Sequence, residues 1–206
     1  MSESLERRSF SVVILAGGES RRMGKDKAFL LYKGKRFVEI ITESALRVSD
    51  DVMVVIGSKQ ESDFDWLATK QGVLLLSDKY HLKNPVGGIL TAVEQAKHPY
   101  TAILPCDSPL VTPSVISFLF TRAQSHSCAV PVWDNGDIEP LCAVYSSAEI
   151  KEAIAKSLAQ NKLGPKHAIS FLRDVQYVPV EELRKYDSSL NSLLNVNTTE
   201  DYNSLP

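Results

Sequence analysis

Ser11-Val12-Val13-Ile14-Leu15-Ala16-Gly17-Gly18-Glu19-Ser20-Arg21-Arg22-Met23-Gly24-Lys25-Asp26-Lys27 joins an apolar, β-branched run to a loop with three glycines and four cations. β-Branched side chains suit a pleated surface, so Ser11 to Ala16 reads as a strand. It shows no apolar/polar alternation, which marks burial on both faces, as a parallel sheet requires. Val52 to Ile56, Val73 to Leu76 and Thr101 to Leu104 repeat the pattern. Segments of helical period lie between these runs at Arg36 to Val48, Glu61 to Lys70 and Gly87 to Lys97, so the chain alternates strand and helix.

This rhythm predicts an α/β fold: a Rossmann-like, open, three-layer α/β/α arrangement with a mainly parallel sheet. After Pro113 a helix to about Gln124 is expected, then strands at Cys128 to Val132 and Leu141 to Tyr145. The turn residues Asp134, Asn135 and Gly136 between that pair suggest a hairpin. Helices at about Ala148 to Gln160 and Lys166 to Leu172, a short strand at Val175 to Val178 and a Ser/Asn/Leu-rich tail complete a mixed C-terminal half.

Bulk properties narrow the function. At 206 residues, 44% hydrophobic and 23% charged, the chain has globular composition and the size of a single domain, 1–206. A formal net charge of −2 argues against nucleic acid as a partner. Residues 1–10 form a polar N-terminus, expected to be flexible and unlike a secretory leader. No run is long enough to span a membrane, so a cytoplasmic protein is expected. Cys106, Cys128 and Cys142 are odd in number and lack C-x-x-C spacing, which fits small buried side chains rather than a disulfide framework or zinc site. His81, His98, His126 and His167 have no metal-like spacing.

The loop from Gly17 to Lys27 has the makings of a polyphosphate cradle, since glycine lets backbone amides approach phosphate oxygens and cations offset their charge. It is not a Walker A motif: Gly18 to Gly24-Lys25 is one residue too long, and Asp26 occupies the place of the magnesium-binding Ser or Thr. A solvated basic turn remains open on spacing alone. After the fourth strand, Pro105-Cys106-Asp107-Ser108-Pro109-Leu110 places a carboxylate at a strand's carboxyl end, where ligands of open sheets bind. Asp107 there could take Mg²⁺ together with phosphate oxygens, or merely cap the next turn.

The string LAGGESRRMGKDKA (15–28) resembles the L-A-G-G-x-S-x-R-M-G-x-D-K signature of the molybdenum cofactor guanylyltransferases, members of the sugar-nucleotide pyrophosphorylase-like nucleotidyltransferases. Pro105 to Leu110 is similar to their C-D-M-P-F-L, and Asn84-Pro85-Val86-Gly87-Gly88 to G-P-L-A-G, with Asn84 in place of glycine. Glu139 to Tyr145 (EPLCAVY) is similar to Q-P-L-x-A-L/V-Y, and Asn195 to Asp201 (NVNTTED) to N-x-N-T-P-E-D. The resemblance thus covers nearly the whole chain.

The resemblance implies a nucleotide-binding half at about 11–110 and an acceptor-binding half at about 111–206. It implies GTP bound by Leu15, Ala16, Gly17 and Gly18, with Lys27 and Arg22 on the triphosphate. Asp107 would bind Mg²⁺ and nucleotide, and Asp78 and Gly57 would be further nucleotide contacts. Asn84, Pro85, Asn195 and Asn197 would line the acceptor side. Asn84 is acceptable for glycine because asparagine tolerates positive φ; for the tail, Thr198 capping the last helix is the alternative. The implied reaction moves GMP from GTP to the terminal phosphate of molybdopterin, with or without molybdenum, giving a guanine dinucleotide cofactor and pyrophosphate. Cofactor-insertion proteins or apoenzymes would be transient partners. A molybdopterin cytidylyltransferase, which typically carries L-A-A-G at the loop, and a transferase acting on another phosphorylated metabolite are the enzyme alternatives. A nucleotide sensor or molybdopterin carrier is the non-catalytic one.

Overall fold

The computed structural model describes residues 9–17, 26–57, 61–82 and 84–206. In chain order its elements are β1 (Ser11–Leu15), β2 (Leu31–Tyr32), β3 (Lys35–Arg36), α1 (Phe37–Leu46), β4 (Val52–Ile56), α2 (Asp65–Ala68), β5 (Val73–Ser77), α3 (Pro85–Val93) and β6 (Tyr100–Pro105). There follow α4 (Pro113–Ala123), β7 (Cys128–Val132), β8 (Ala143–Ser146), α5 (Ser147–Ala159), α6 (Pro165–Ile169), β9 (Val175–Pro179), α7 (Val180–Leu183) and α8 (Thr199–Asn203). Seven strands form one sheet in the order β5-β4-β1-β6-β8-β7-β9. All neighbours run parallel except β8, which is antiparallel to both β6 and β7.

The period-2 geometry of a strand sorts the apolar runs onto two faces. Val12 and Ile14 of β1, Val54 and Ile56 of β4, and Leu104 of β6 join a core with Val38 and Ile41 of α1 and Leu119 of α4. Val13 of β1 and Met53 and Val55 of β4 pack on the other face with Ala92 of α3, and Ile103 of β6 with Ile89 of α3 and Ile150 of α5. Helices therefore cover both faces, the three-layer arrangement expected. Phe10, within the stretch expected to be polar and flexible, is instead core: it is fully buried and stacks on Phe120, with centroids 4.4 Å apart.

Several boundaries differ from the sequence reading. β5 is an edge strand with only one neighbour, so Leu74 stays 43% exposed rather than buried on both faces. The helix expected from Glu61 to Lys70 is a 3₁₀ turn, Glu61–Phe64, followed by the single turn α2. Arg36 does not begin a helix but ends a small hairpin, β2-β3, whose turn residues Lys33 and Gly34 both have positive φ, 49° and 81°. The expected hairpin of β7 and β8 is only partly formed: register pairs are limited to Cys128↔Tyr145 and Ala129↔Val144. The Asp134-Asn135-Gly136 turn closes a separate bridge, Val132↔Ile138, and Glu139 to Cys142 run outside the strands.

At the amino ends of the strands, buried Asp51 accepts hydrogen bonds from the Ser11 hydroxyl (2.6 Å) and the Lys97 backbone N–H (3.0 Å), tying β1, β4 and the approach to β6 together. Removing that acceptor strands the buried Ser11 hydroxyl and takes a partner from the Lys97 N–H. Asp51→Ala should lower unfolding free energy by about 1–3 kcal/mol in urea titrations while leaving ligand affinity at the opposite, carboxyl edge unchanged; an unchanged urea midpoint would refute this anchoring role.

Candidate functional site

The strand order places β1 between β4 and β6: the chain passes from β1 to β4 and β5 on one side and then returns to β6 on the other, and this change of direction opens a crevice at the carboxyl end of β1. Leu15, Ala16 and Gly17 run out of β1 here. Ala16 is held by its N–H donating to Val55 O (2.8 Å), and Leu15 O accepts from Cys106 N (3.1 Å). Gly17 passes so close to Gly57, at the end of β4, that a Cβ on Gly17 would lie 2.9 Å from Gly57 N, and one on Gly57 2.7 Å from Gly17 O. Only glycine permits this approach. Gly18 and Arg22 lie outside the described residues.

The loop returns at Asp26, whose Oδ1 accepts from Ala28 N (3.0 Å) and so starts the 3₁₀ turn Lys27–Phe29. That turn delivers Lys27 to the crevice. Its Nζ donates to Asp107 Oδ2 at 2.9 Å and to Asn197 Oδ1 at 2.6 Å, joining residues from three distant parts of the chain. The ion pair is largely shielded, with side-chain exposures of 17% for Lys27 and 22% for Asp107.

The tail that supplies Asn197 is fixed on both sides. Val196 N donates to Asp107 O (2.8 Å), and the Ser108 hydroxyl donates to Asn195 Oδ1 (2.7 Å). Beyond Asn197, Thr198 and Asp201 form a reciprocal capping box at the start of α8. One Asp201 oxygen accepts from the N–H groups of both Asn197 (2.8 Å) and Thr198 (2.9 Å), and these bonds hold its carboxyl below the usual carboxylate range. Thr198 thus caps the last helix, and in the same turn Asn197 is aimed at Lys27.

Asp78, Asn84 and Pro85 stand together on the β4–β5 side. Asp78 Oδ1 accepts from Tyr80 N (2.9 Å) and the Thr91 hydroxyl (3.3 Å), and its carboxylate lies against Gly87 in the first turn of α3. Asn84 is the N-cap of that helix, accepting from Val86 N at 2.8 Å, with Pro85 in the first turn. Its φ is −153°, so this position asks for a capping side chain and not for positive φ.

On the other side of β6 lies a cleft of about 590 Å³. Asp107, Ser108 and Asn195 border it; Asn84, Pro85 and Asn197 are not among its lining residues. Trp133, Asp137, Ile138 and Lys166, which sequence reasoning does not single out, line it with Glu139 and Leu141, which the sequence reading notes only as part of the EPLCAVY stretch. The signal in the sequence is the turn Asp134-Asn135-Gly136, which ends the strand early and frees the segment beyond it to leave the sheet. Trp133 Nε1 donates to Glu139 Oε1 (2.7 Å), and buried Tyr145 donates through its hydroxyl to Pro140 O (2.6 Å). All three cysteines are free and buried, and burial pushes the Cys128 and Cys142 thiols up to about 12, which leaves them protonated and non-nucleophilic at neutral pH. Among the described residues no group of three His, Cys, Asp or Glu side chains is placed to hold a metal, and no helix is long and apolar enough to cross a membrane.

Residues 12–176 match the family model described as MobA-like NTP transferase domain. A probable molybdenum cofactor guanylyltransferase of Methanosarcina mazei is 32% identical over 95% of this chain and 90% of its own length. Another, from Methanothermobacter thermautotrophicus, is 34% identical over 93% and 96% respectively. Among solved structures, molybdopterin-guanine dinucleotide biosynthesis protein A from Archaeoglobus fulgidus superposes with a TM-score of 0.77 at 25% identity, covering 94% of this chain and 95% of that one.

Because the Asp201 cap orients Asn197 and Asn197 holds Lys27, losses at the two positions should not add. Asn197→Ala is expected to weaken nucleoside triphosphate binding by up to about tenfold, because a lysine stem no longer held in place must be ordered by the ligand. Asp201→Ala should weaken it several-fold alone and have little further effect in the Asn197→Ala background. Additive losses in calorimetric titrations would show instead that the two positions act on binding independently, and an unchanged affinity in Asp201→Ala would confine the cap to stability.

Proposed function

Because this chain belongs to the MobA-like NTP transferase domain family, we propose that it transfers GMP from GTP to the terminal phosphate of molybdopterin, releasing pyrophosphate and forming a guanine dinucleotide cofactor. The observation that carries this reading is that Lys27, from the glycine-rich loop, meets Asp107 at the carboxyl end of β6, beside the crevice at the end of β1 where the strand order reverses. Likeness to named guanylyltransferases along nearly the whole chain supports the choice of guanine and molybdopterin.

On this reading the backbone of Leu15, Ala16, Gly17 and Gly18 receives the nucleotide, with Gly57 and Asp78 on its flank. An oxygen of the acceptor phosphate forms a bond to the α-phosphorus of GTP while the bond from that phosphorus to the bridging oxygen breaks in line. The bonding pair leaves with pyrophosphate. Transfer of this kind depends on positioning and charge stabilisation, with no covalent enzyme intermediate. Lys27 exchanges its Asp107 and Asn197 oxygens for phosphate oxygens, and Lys27 with Arg22 offsets the charge of the departing pyrophosphate.

The donor set suits magnesium. A hard ion that takes one or two carboxylates and completes its shell with phosphate oxygens and water needs little more than Asp107. Asp107 would hold Mg²⁺ with the nucleotide, and the ion would supply positive charge at the phosphates. Asn195, through Ser108, keeps the Asp107 segment in place on the acceptor side.

Pyrophosphate release from GTP and molybdopterin tests the reading. Asp107→Asn should lower it by about 10²–10³-fold with the fold intact, and omission of Mg²⁺ should do the same to the unaltered protein. Thermal unfolding with each nucleotide tests the base: GTP at about 100 times its Kd should add about 2.7 kcal/mol of apparent stability, and CTP, UTP and ATP much less. Turnover retained in Asp107→Asn would remove the metal assignment, and a CTP preference would move the function to cytidylyl transfer.

A further inference from the structure

We propose that the cleft beside Asp107 holds the bicyclic ring of the acceptor, with the Glu139 carboxylate reading the ring's donor edge and Trp133 forming the adjacent wall. This rests on the acceptor being a pterin, as inferred above.

The cleft's volume, about 590 Å³, is in the range that encloses a small organic ligand. Among the described residues its charge is wrong for a triphosphate: Asp107, Asp137 and Glu139 line it against one cation, Lys166, which itself pairs with Asp137 at 3.2 Å. An excess of carboxylates repels phosphate and favours an uncharged ring rich in N–H donors. The apolar side chains of Ile138 and Leu141 and the indole of Trp133 give such a ring its walls.

Glu139 is built to present its carboxylate. Its backbone N–H donates to Pro131 O (3.0 Å), its carbonyl accepts from Cys142 N (3.1 Å), and the next residue, Pro140, is held by Tyr145. The side chain is then oriented by Trp133 Nε1 on Oε1, at 2.7 Å. A pre-oriented acceptor loses little freedom on binding. The pyrimidine half of a pterin shows a ring N–H beside an exocyclic amine, a pair of donors that matches the two oxygens of one carboxylate. Guanine shows the same edge, so chemistry alone admits both. Position separates them: the glycine exits at Gly17 and Gly57 and the Asp78 carboxylate lie towards β4 and β5, whereas Glu139 lies beyond β6.

Binding and turnover test this separately. The chain has two tryptophans, so in a Trp66→Phe background Trp133 is the remaining fluorophore. A pterin carrying a phosphate monoester on its side chain should quench it, and GMP should not. By calorimetry, Glu139→Leu should weaken pterin binding about tenfold or more, as loss of an ionised acceptor does. Glu139→Gln, whose amide oxygen still accepts, should stay within a few-fold. GTP-induced thermal stabilisation should be unchanged in both, which also shows that they fold; should Glu139→Leu not fold, Glu139→Ala carries the same expectation.

Absence of quenching by the pterin, or unaltered pterin affinity without the Glu139 carboxylate, would overturn the assignment. So would quenching by GMP with the same dependence on Glu139, which would give the cleft to the nucleotide base. Pterin binding that depends on Glu139, in a protein releasing no pyrophosphate from GTP and molybdopterin, would uphold the cleft and remove the transferase reading. Pyrophosphate release with an acceptor KM indifferent to Glu139→Leu would do the reverse.

Discussion

Lys27 occupies the point at which the glycine-rich loop, the end of β6 and the C-terminal tail meet, and its ammonium is satisfied there by a carboxylate and an amide oxygen. Taking an ammonium largely out of water is costly unless such oxygens replace the solvent. Asp107 and Asn197 therefore hold the long, flexible lysine stem in one place before any ligand arrives. The same geometry makes the contact exchangeable. Phosphate oxygens offer the ammonium an equivalent shell with more negative charge, so the groups that position the cation can also yield it. The tail is a working part of this arrangement, because Val196 bonds the Asp107 backbone and the Thr198–Asp201 cap fixes Asn197.

The sheet explains why these segments meet. With β4 on one side of β1 and β6 on the other, the loops after β1, β4 and β6 emerge at a shared edge, and the close pass of Gly17 over Gly57 lets the backbones converge without side chains between them. Burying β1, β4 and β6 on both faces keeps that edge rigid. Beyond β6 the reversed strand β8 is inserted between β6 and β7, and the segment between β7 and β8 walls a cleft.

The parts legible in the sequence are those governed by local pattern. Doubly buried strands announce themselves by uninterrupted β-branched runs, and the loop and Asp107 by chemistry at strand ends. Asn84 illustrates the limit: a glycine substitute at a turn suggests left-handed backbone, yet an extended residue with a capping side chain reads identically in one dimension. β5 reads as interior because Val73 to Leu76 is apolar, and nothing in those residues says how many neighbours the strand will have. Asn197 and Lys27 are 170 residues apart, and Trp133 and Glu139 form a site wall only because a turn ejects them from a ladder. Such contacts depend on tertiary placement, and motif reading reaches Asn197 through resemblance without reaching its partner.

Charge divides the carboxyl edge into unlike halves. Lys27 stands on the side of the glycine-rich loop, and Asn84 caps a helix whose positive end is already met by the Asp78 carboxylate. Across β6 the lining is acidic, with Asp107 at the border. On the proposed reading a polyanion would be held on the Lys27 side and repelled by the acidic lining, which would sort two ligands that share a donor edge without a separate recognition element for each. Asp107 belongs to both halves. It pairs with Lys27 on one side and lines the cleft on the other, so the place where attraction changes sign is also where two phosphates would have to be brought together.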